Sequence, residues 1–293
     1  MKIVVTGGSG FVGTALVRRL TDAGHDTIVV DNRPCALSVE TRLVNILDLD
    51  STKRALADAD VVYHLAGPVL DRTRSDQFGS SQLQFMGTLN VLEAMTESAA
   101  RKIVLASSFY VYDGLPAAGI VNENSTLNPA GMELFGATKV AAEQLVLSYA
   151  RRLGFAYVIL RFGSAYGFGE GSNLVQSFLT AGLAGDTLEV WGPGHRMNQY
   201  TSVDDIAAGA TLALGVRDEI FNLISPEETS TGELATLLKS MFGFETTFLL
   251  EKPEGASFPY MSSRKAIRHL GWQPTPLADG LQRLMEDVTA AAS

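Results

Sequence analysis

A single cysteine, Cys35, rules out a disulfide within the chain, and the four histidines (His25, His64, His195, His269) are too dispersed in sequence to suggest a metal site. No run of about 18 apolar residues occurs, so no membrane-spanning helix is expected. Basic residues form no block, and the formal charge of -9 argues against a nucleic-acid surface or a polybasic membrane anchor. Internal repeats and low-complexity tracts are also missing. Lys2 is followed by only Ile3-Val4-Val5 before Thr6-Gly7 turns the chain, too short an apolar run for a signal peptide. These absences leave the expectation of a cytoplasmic protein that handles a small molecule, with neither nucleic acid nor membrane as partner.

What is present is a length of 293 residues, enough to bury one large α/β unit or a main domain with an appendage. Short β-branched runs alternate with longer amphipathic stretches through the first half, the pattern of βαβ units and a parallel sheet. The runs predict strands over residues 2–6, 27–31, 42–47, 61–65, 102–106 and 157–161, and helices over 11–23, 82–100 and 133–153. Residues 113–129, rich in glycine, proline and asparagine, read as a long loop, a kind of segment found near sites. Beyond Arg161 the pattern loosens into a glycine-rich turn over 163–171, a helix over 174–183, a strand over 188–191, a helix from Val203, a strand over 220–223 and a helix from Thr231. The expected organisation is a doubly wound Rossmann domain over residues 1–165, then a smaller substrate-binding lobe over 166–293 interleaved with late sheet elements.

Gly7-Gly8-Ser9-Gly10-Phe11-Val12-Gly13 directly follows the first strand and opens the first helix. Gly7, Gly10 and Gly13 have GxxGxxG spacing, while Gly8, Gly10 and Gly13 satisfy GxGxxG. Such glycines permit a tight turn and let backbone amides at a helix N-terminus approach a pyrophosphate. Asp31 ends the second strand, about 20 residues further on, where a carboxylate accepts hydrogen bonds from ribose hydroxyls and repels a 2′-phosphate. The reading is a dinucleotide site for NAD over NADP, with Asn32 beside it. Arg33 nearby is the one residue suited to greet a phosphate instead.

Together the motifs resemble the extended short-chain dehydrogenase/reductases of the nucleotide-sugar epimerase and dehydratase type. The residues that carry the likeness are the glycine loop, Asp31-Asn32, His64-Leu65-Ala66-Gly67, Ser107-Ser108 with Val111-Tyr112, Lys139 with Glu143, Leu160-Arg161 with Tyr166-Gly167, Val203-Asp204-Asp205 and Leu270-Gly271-Trp272. The resemblance implies that Leu65, Ala66 and Gly67 line the dinucleotide. It sets Asn45-Ile46 against adenine, with Asp48-Leu49 as the competing register, and puts Gln84 near the nicotinamide, where relatives usually have asparagine. Ser107 and Lys139 fall on the cofactor side. Plain core packing remains open for the apolar positions.

In that family a serine or threonine, a tyrosine and a lysine act together. The phenolate takes the sugar hydroxyl proton while lysine holds the nicotinamide ribose and lowers the tyrosine pKa. Ser108 and Lys139 match the serine and the lysine. The tyrosine position, four before Lys139, is Phe135, which exchanges no proton. Three accounts stay open: an engineered Tyr-to-Phe change that traps substrate, a different proton carrier such as Tyr110, or retained cofactor binding without chemistry. Taken alone, Tyr110 reads first as a buried strand aromatic.

For the substrate end the resemblance points to Asn173 at a diphosphate, with a plain N-cap role as its alternative. Relatives place arginines there; here Asn198 holds the first such position, Arg196 lies two residues earlier, and Lys252 takes the second. Arg196 and Lys252 fit a diphosphate or a solvated surface alike. The function implied is an NAD-dependent epimerase acting on a nucleotide-sugar through a transient keto-sugar. A dehydratase, a ketoreductase and a catalytically silent dinucleotide-binding regulator are the alternatives; Phe109 and Tyr110, where dehydratases carry acids, weigh against the first of these. A homodimer is implied through the helices around residues 82–100 and 133–153.

Overall fold

The computed structural model describes residues 1–169 and 173–292. Residues 170–171, the end of the expected glycine-rich turn, lie outside the described residues. The first half runs β1 (Lys2–Thr6), α1 (Phe11–Asp22), β2 (Asp26–Asp31), β3 (Glu40–Leu43), α2 (Leu49–Leu56), β4 (Val61–His64), α3 (Leu70–Ser75), α4 (Gln77–Thr96), β5 (Lys102–Ser108) and β6 (Ile120–Val121). It continues through α5 (Leu134–Leu153), β7 (Ala156–Phe162) and β8 (Ser164–Tyr166). Then follow α6 (Leu174–Leu183), β9 (Leu188–Trp191), β10 (Met197–Asn198), β11 (Tyr200–Ser202), α7 (Val203–Leu212), β12 (Glu219–Leu223), β13 (Thr229–Ser230), α8 (Thr231–Phe242), β14 (Thr246–Leu249), β15 (Tyr260–Met261), α9 (Arg264–Leu270) and α10 (Leu277–Ala292).

Seven strands pair in the order β12-β7-β5-β4-β1-β2-β3. Every pairing is parallel. Helices therefore cover both faces, and the central strands read as continuous apolar runs, Ile3-Val4-Val5 being fully buried. On one face Leu56, Val91, Leu92, Val146 and Ala150 from α2, α4 and α5 pack the core; on the other Leu16, Val17, Leu20, Ala207, Ala210 and Ala266 come from α1, α7 and α9. The buried positions of α1, Gly13, Leu16, Val17 and Leu20, follow the i, i+3, i+4, i+7 stripe that a helix needs to seat on a sheet. A third cluster (Phe178, Leu188, Val190, Leu234, Leu238, Leu281) forms the core of the C-terminal lobe from α6, β9, α8 and α10.

β1 sends the chain to β2 on one side while β4 lies on its other side, so the strand order reverses between β1 and β4 and a crevice opens at their carboxyl ends. Gly7 ends β1 there with φ +74°, and a Cβ on it would sit 2.5 Å from Ala66 N. A Cβ on Gly13 would overlap Gly7 O, so glycine at both positions is what lets α1 start directly above the strand ends.

Three local expectations are corrected. The third strand spans Glu40–Leu43, not 42–47, because Asn45 bends the chain: its Oδ1 accepts from Leu47 N at 3.0 Å and its O from Asp48 N at 2.8 Å. α4 begins at Gln77, five residues before Gln82, since Asp76 caps it by accepting from Gly79 N at 2.9 Å; it ends at Thr96, short of Ala100. The loop over 113–129 contains β6, which pairs with β15 from the C-terminal lobe. No helix among the described residues is long and apolar enough to cross a membrane.

Substituting Gly7→Ala forces a side chain into a left-handed backbone and against Ala66 at once. The expected loss is about 1–3 kcal/mol of unfolding free energy, read from urea denaturation of the purified chain.

Candidate active site

One cavity of about 1160 Å³ runs from the glycine loop, past the carboxyl ends of β1, β4 and β5, to the C-terminal lobe. At its first end Gly7, Gly10, Phe11 and Val12 form the wall. Gly10, the N-cap of α1, offers no side-chain cap, and the first turn carries no acid, so the leading amides of the helix are left for an anion. Asp31 and Asn32 line the same end, as do Asn45 and Ile46. The Asp31 carboxylate is oriented by Ser9 N (3.0 Å) and Arg33 N (3.2 Å). Arg33 itself is drawn over the loop, donating from Nη2 to Ser9 O at 2.9 Å. A pyrophosphate, an adenosine ribose and a base find complementary groups in this order, so the residues fit a dinucleotide. Among the described residues no group of three or more His, Cys, Asp or Glu side chains is placed to hold a metal ion.

Leu65, Ala66 and Gly67 line the middle of the cavity. Their position is fixed from beneath by His64, whose Nδ1 pairs with Thr6 Oγ1 at 2.8 Å and Nε2 with Thr88 Oγ1 at 3.0 Å. Burial, helped by the charge of Lys139, lowers the His64 pKa to about 3, so the ring is a neutral bridge between β1, β4 and α4. Gln84 stands behind this wall: its Oε1, buried without a partner among the described residues, lies 2.8 Å from where a Cβ on Gly67 would be.

Ser107, Ser108, Tyr110, Phe135 and Lys139 come together at the carboxyl end of β5. Ser108 ends the strand and its Oγ accepts from Tyr110 N at 3.3 Å, which starts a short 3-10 turn. Phe135 and Lys139 share one face of α5, four residues apart, and Lys139 Nζ lies 5.6 Å from the Phe135 ring centre. Nζ makes one long hydrogen bond, to Ala106 O at 3.4 Å. Burial lowers its pKa to about 8, with Glu143 pulling the other way. The ammonium is therefore the form present at neutral pH, with the Phe135 ring beside it.

Behind the cavity a buried ionic network anchors this group. Glu143 accepts from Ser107 Oγ at 2.5 Å and from Arg161 Nε and Nη2 at 3.0 and 2.8 Å. Arg161 Nη1 donates to Tyr112 Oη at 2.9 Å, which in turn donates to Asn222 Oδ1 at 2.8 Å. Glu143 (α5), Arg161 (β7), Tyr112 and Asn222 (β12) thus lock β5 to its neighbours.

At the far end the cavity meets Asn173 and Arg196, with Asn198 and Tyr200. Asn173 caps α6, accepting from Gln176 N at 3.0 Å, while its Nδ2 donates to Ala165 O. Arg196 packs on Gly255, and its Nε is buried with no partner among the described residues. Lys252 corrects an expectation: it is absent from the cavity wall, its Nζ pairing with Glu189 at 3.0 Å and lying over Trp191. The turn after β14, closed by Lys252 N donating to Leu249 O, carries it to the Glu189 side of β9. The paired motifs Val203-Asp204-Asp205 and Leu270-Gly271-Trp272 meet each other instead of the cavity, Trp272 Nε1 donating to Asp205 O at 2.8 Å.

Several wall residues were not anticipated. Arg72 and Arg74 come from α3, Asp113 from the long loop, Glu133 from the start of α5, and Phe258 from the segment before β15. Glu133 holds Arg74 through both carboxylate oxygens at 3.0 and 3.1 Å, and its own N donates to Asp113 Oδ2 at 2.6 Å. Two signals were legible: Glu133 immediately precedes a helix and stands two residues before Phe135, and Asp113 opens the long loop. Nothing in the pattern around Phe258 marks it.

Residues 3–223 match the family model described as NAD dependent epimerase/dehydratase family. The chain belongs to this family. A Methanocaldococcus jannaschii protein assigned as a UDP-glucose 4-epimerase is 30% identical over 298 residues, covering 97% of each chain. UDP-glucuronic acid decarboxylase 1 of Danio rerio is 28% identical over 97% of this chain and 72% of its own length. Among solved structures, UDP-glucose 4-epimerase of Thermotoga maritima with UDP-glucose superimposes over 100% of both chains, with a TM-score of 0.91 and 25% identity. The α/β architecture of a parallel sheet with small C-terminal sheets is shared with that epimerase.

For this member of the epimerase/dehydratase family, Glu143→Leu strands the Arg161 guanidinium, and the expected cost is about 3–5 kcal/mol. Adding Arg161→Met recovers more than half of that loss, checked as a double-mutant cycle in denaturant unfolding.

Proposed function

We propose that this chain is an NAD-dependent nucleotide-sugar epimerase working through a transient keto-sugar, and that Phe135 impairs its oxidative step. The single cavity joining the glycine loop, Ser108 with Lys139, and Asn173 with Arg196 carries the reading. Its two ends suit a dinucleotide and a nucleoside diphosphate, which leaves a sugar ring beside Ser108 and the Phe135 ring. Bound NAD supplies reversible two-electron oxidation of a sugar carbinol. Asp31 holds the adenosine ribose, Lys139 the nicotinamide ribose, and Ser108 donates its hydroxyl to the sugar oxygen. Asn173 and Arg196 receive the diphosphate at the lobe.

The proton that leaves the sugar hydroxyl has no acceptor at position 135. Tyr110 presents a phenol beside it: its ring meets Phe135 edge-on at 5.3 Å between centres. Its pKa is raised by burial, against the opposing charge of Arg74, so less of it is phenolate at neutral pH than of a phenol whose pKa is lowered by a neighbouring ammonium. A second reading, a dinucleotide-binding regulator without turnover, is favoured by Phe135 alone.

Phe135→Tyr restores a hydroxyl on the same face of α5 as Lys139, whose positive charge persists below about pH 8. The expected gain is about 10²- to 10⁴-fold in the rate at which a panel of nucleotide-sugars reduces bound NAD, followed by NADH absorbance. If neither the parent chain nor this variant ever reduces NAD with any member of the panel, the regulator reading replaces the epimerase.

We also propose a homodimer through α4 and α5, which pack side by side and leave Phe78, Phe85, Met86 and Leu134 exposed. Phe85→Glu is expected to convert the dimer to monomer in light scattering coupled to size exclusion. A parent chain of monomer mass disproves the assembly.

A further inference from the structure

Four aromatic rings form the cavity wall around the place given to the sugar. Phe109 lies tilted to Tyr110 at 4.6 Å and edge-on to Phe258 at 4.9 Å between ring centres. Tyr110 contacts Phe258 edge-on at 5.1 Å and Phe135 at 5.3 Å. All four line the cavity. They converge from separate segments: the turn after β5, the start of α5 and the approach to β15. Each ring therefore immobilises the next, and the wall is a rigid apolar surface.

Charged groups of both signs stand near this wall. Those acting on the Tyr110 phenol are Arg74, Arg196, Glu133 and Asp113, two of each sign. Arg74 is held by both oxygens of Glu133. Arg72 lines the cavity as well, on α3 beside Arg74. No ring offers an acceptor to a sugar hydroxyl apart from the tip of Tyr110. A hydroxyl set against the ring faces gives up its water without a replacement partner.

On the nucleotide-sugar reading, C4 of the sugar lies beside Ser108 and Phe135, so the groups flanking it are the C3 hydroxyl and the exocyclic carbon on C5. Of these two only the exocyclic carbon is able to present an apolar group. We propose that the aromatic wall of Phe109, Tyr110, Phe135 and Phe258 selects a nucleotide-linked 6-deoxyhexose over the corresponding hexose. Phe135 then completes a surface for the methyl group as well as removing a proton carrier. The inference rests on the nucleotide-sugar reading of the site but does not require turnover.

The test is calorimetric binding to the full chain in excess NAD, with glucose and 6-deoxyglucose each presented as UDP and dTDP conjugates. The 6-deoxy conjugate is expected to bind about tenfold or more tighter than the hexose. Phe258→Asn, with a thermal transition confirming its fold, is expected to erase that preference, while Tyr110→Phe keeps it. If the hexose binds as tightly as the 6-deoxy sugar, or a folded Phe258→Asn retains the gap, selection by this wall is overturned while the epimerase reading stands. Should the Asn variant not fold, the parent panel alone decides. If no conjugate binds in the presence of NAD, both the selection and the nucleotide-sugar reading fall.

Discussion

Glu143 and Arg161 are withdrawn from water together, with side chains 2% and 4% exposed, at the place where α5 lies over β5 and β7. Such a pair costs desolvation on both sides, and replacing it with apolar groups is often neutral or better for stability. What it gives here is placement. Ser107 Oγ, three Arg161 nitrogens, Tyr112 and Asn222 form one chain of hydrogen bonds with Glu143 across α5, β5, β7 and β12. A one-residue slip of β5 would turn Ser107 and Ser108 to opposite faces and break the chain, so the network specifies the register on which the cavity depends.

From that anchor the electrostatics of the cavity follow. Lys139 lies one helical turn before Glu143, buried, with its ammonium kept against the cost of burial by that carboxylate. His64, on the other side, is held neutral by burial and by the same Lys139 charge, so the wall beneath Gly67 contributes hydrogen bonds and no second cation. The positive charge at the middle of the cavity is therefore concentrated on one atom, Lys139 Nζ, whose single long bond leaves most of its donor capacity facing the cavity. A ribose hydroxyl is chemically suited to take it up.

The parallel sheet was legible because parallel strands are buried on both faces and so appear as unbroken apolar runs, and because the first glycine loop must follow a strand and open a helix. The helix over 174–183 and the strand over 188–191 were legible at their ends for the same reason, a change of period with a capping residue between. The third strand was misjudged because Asn45 turns the chain through its own side chain, a local bond that competes with the β-branched pattern around it. The wall of the cavity was legible where a motif crosses it, as at Ser108, Lys139 and Asp31. It was hidden where the wall is built from segments distant in sequence: Arg74, Asp113, Glu133 and Phe258 meet only because β6 pairs with β15 and the long loop is pulled over α5. Lys252 shows the reverse failure, a charge counted into the site by position and carried away from it by the Glu189 pair and the Trp191 ring.

Phe135 departs from the family pattern in chemistry more than in architecture. Its ring is 8% exposed, seated edge-on to Tyr110 and beneath the Lys139 ammonium, and its backbone oxygen accepts from Thr138 Oγ1 at 2.9 Å. None of these contacts uses a para hydroxyl. Glycine at 136 is required independently, because a Cβ there would strike Tyr110 O, so the close approach of α5 to the turn after β5 is fixed by its neighbour and not by the ring. Lys139 Nζ is held by Ala106 O and Ser108 Oγ by Tyr110 N, neither of them through a para substituent on that ring. A phenol and a phenyl are thus interchangeable to the fold, and the difference between them falls wholly on the proton and on the polarity of the surface a sugar meets.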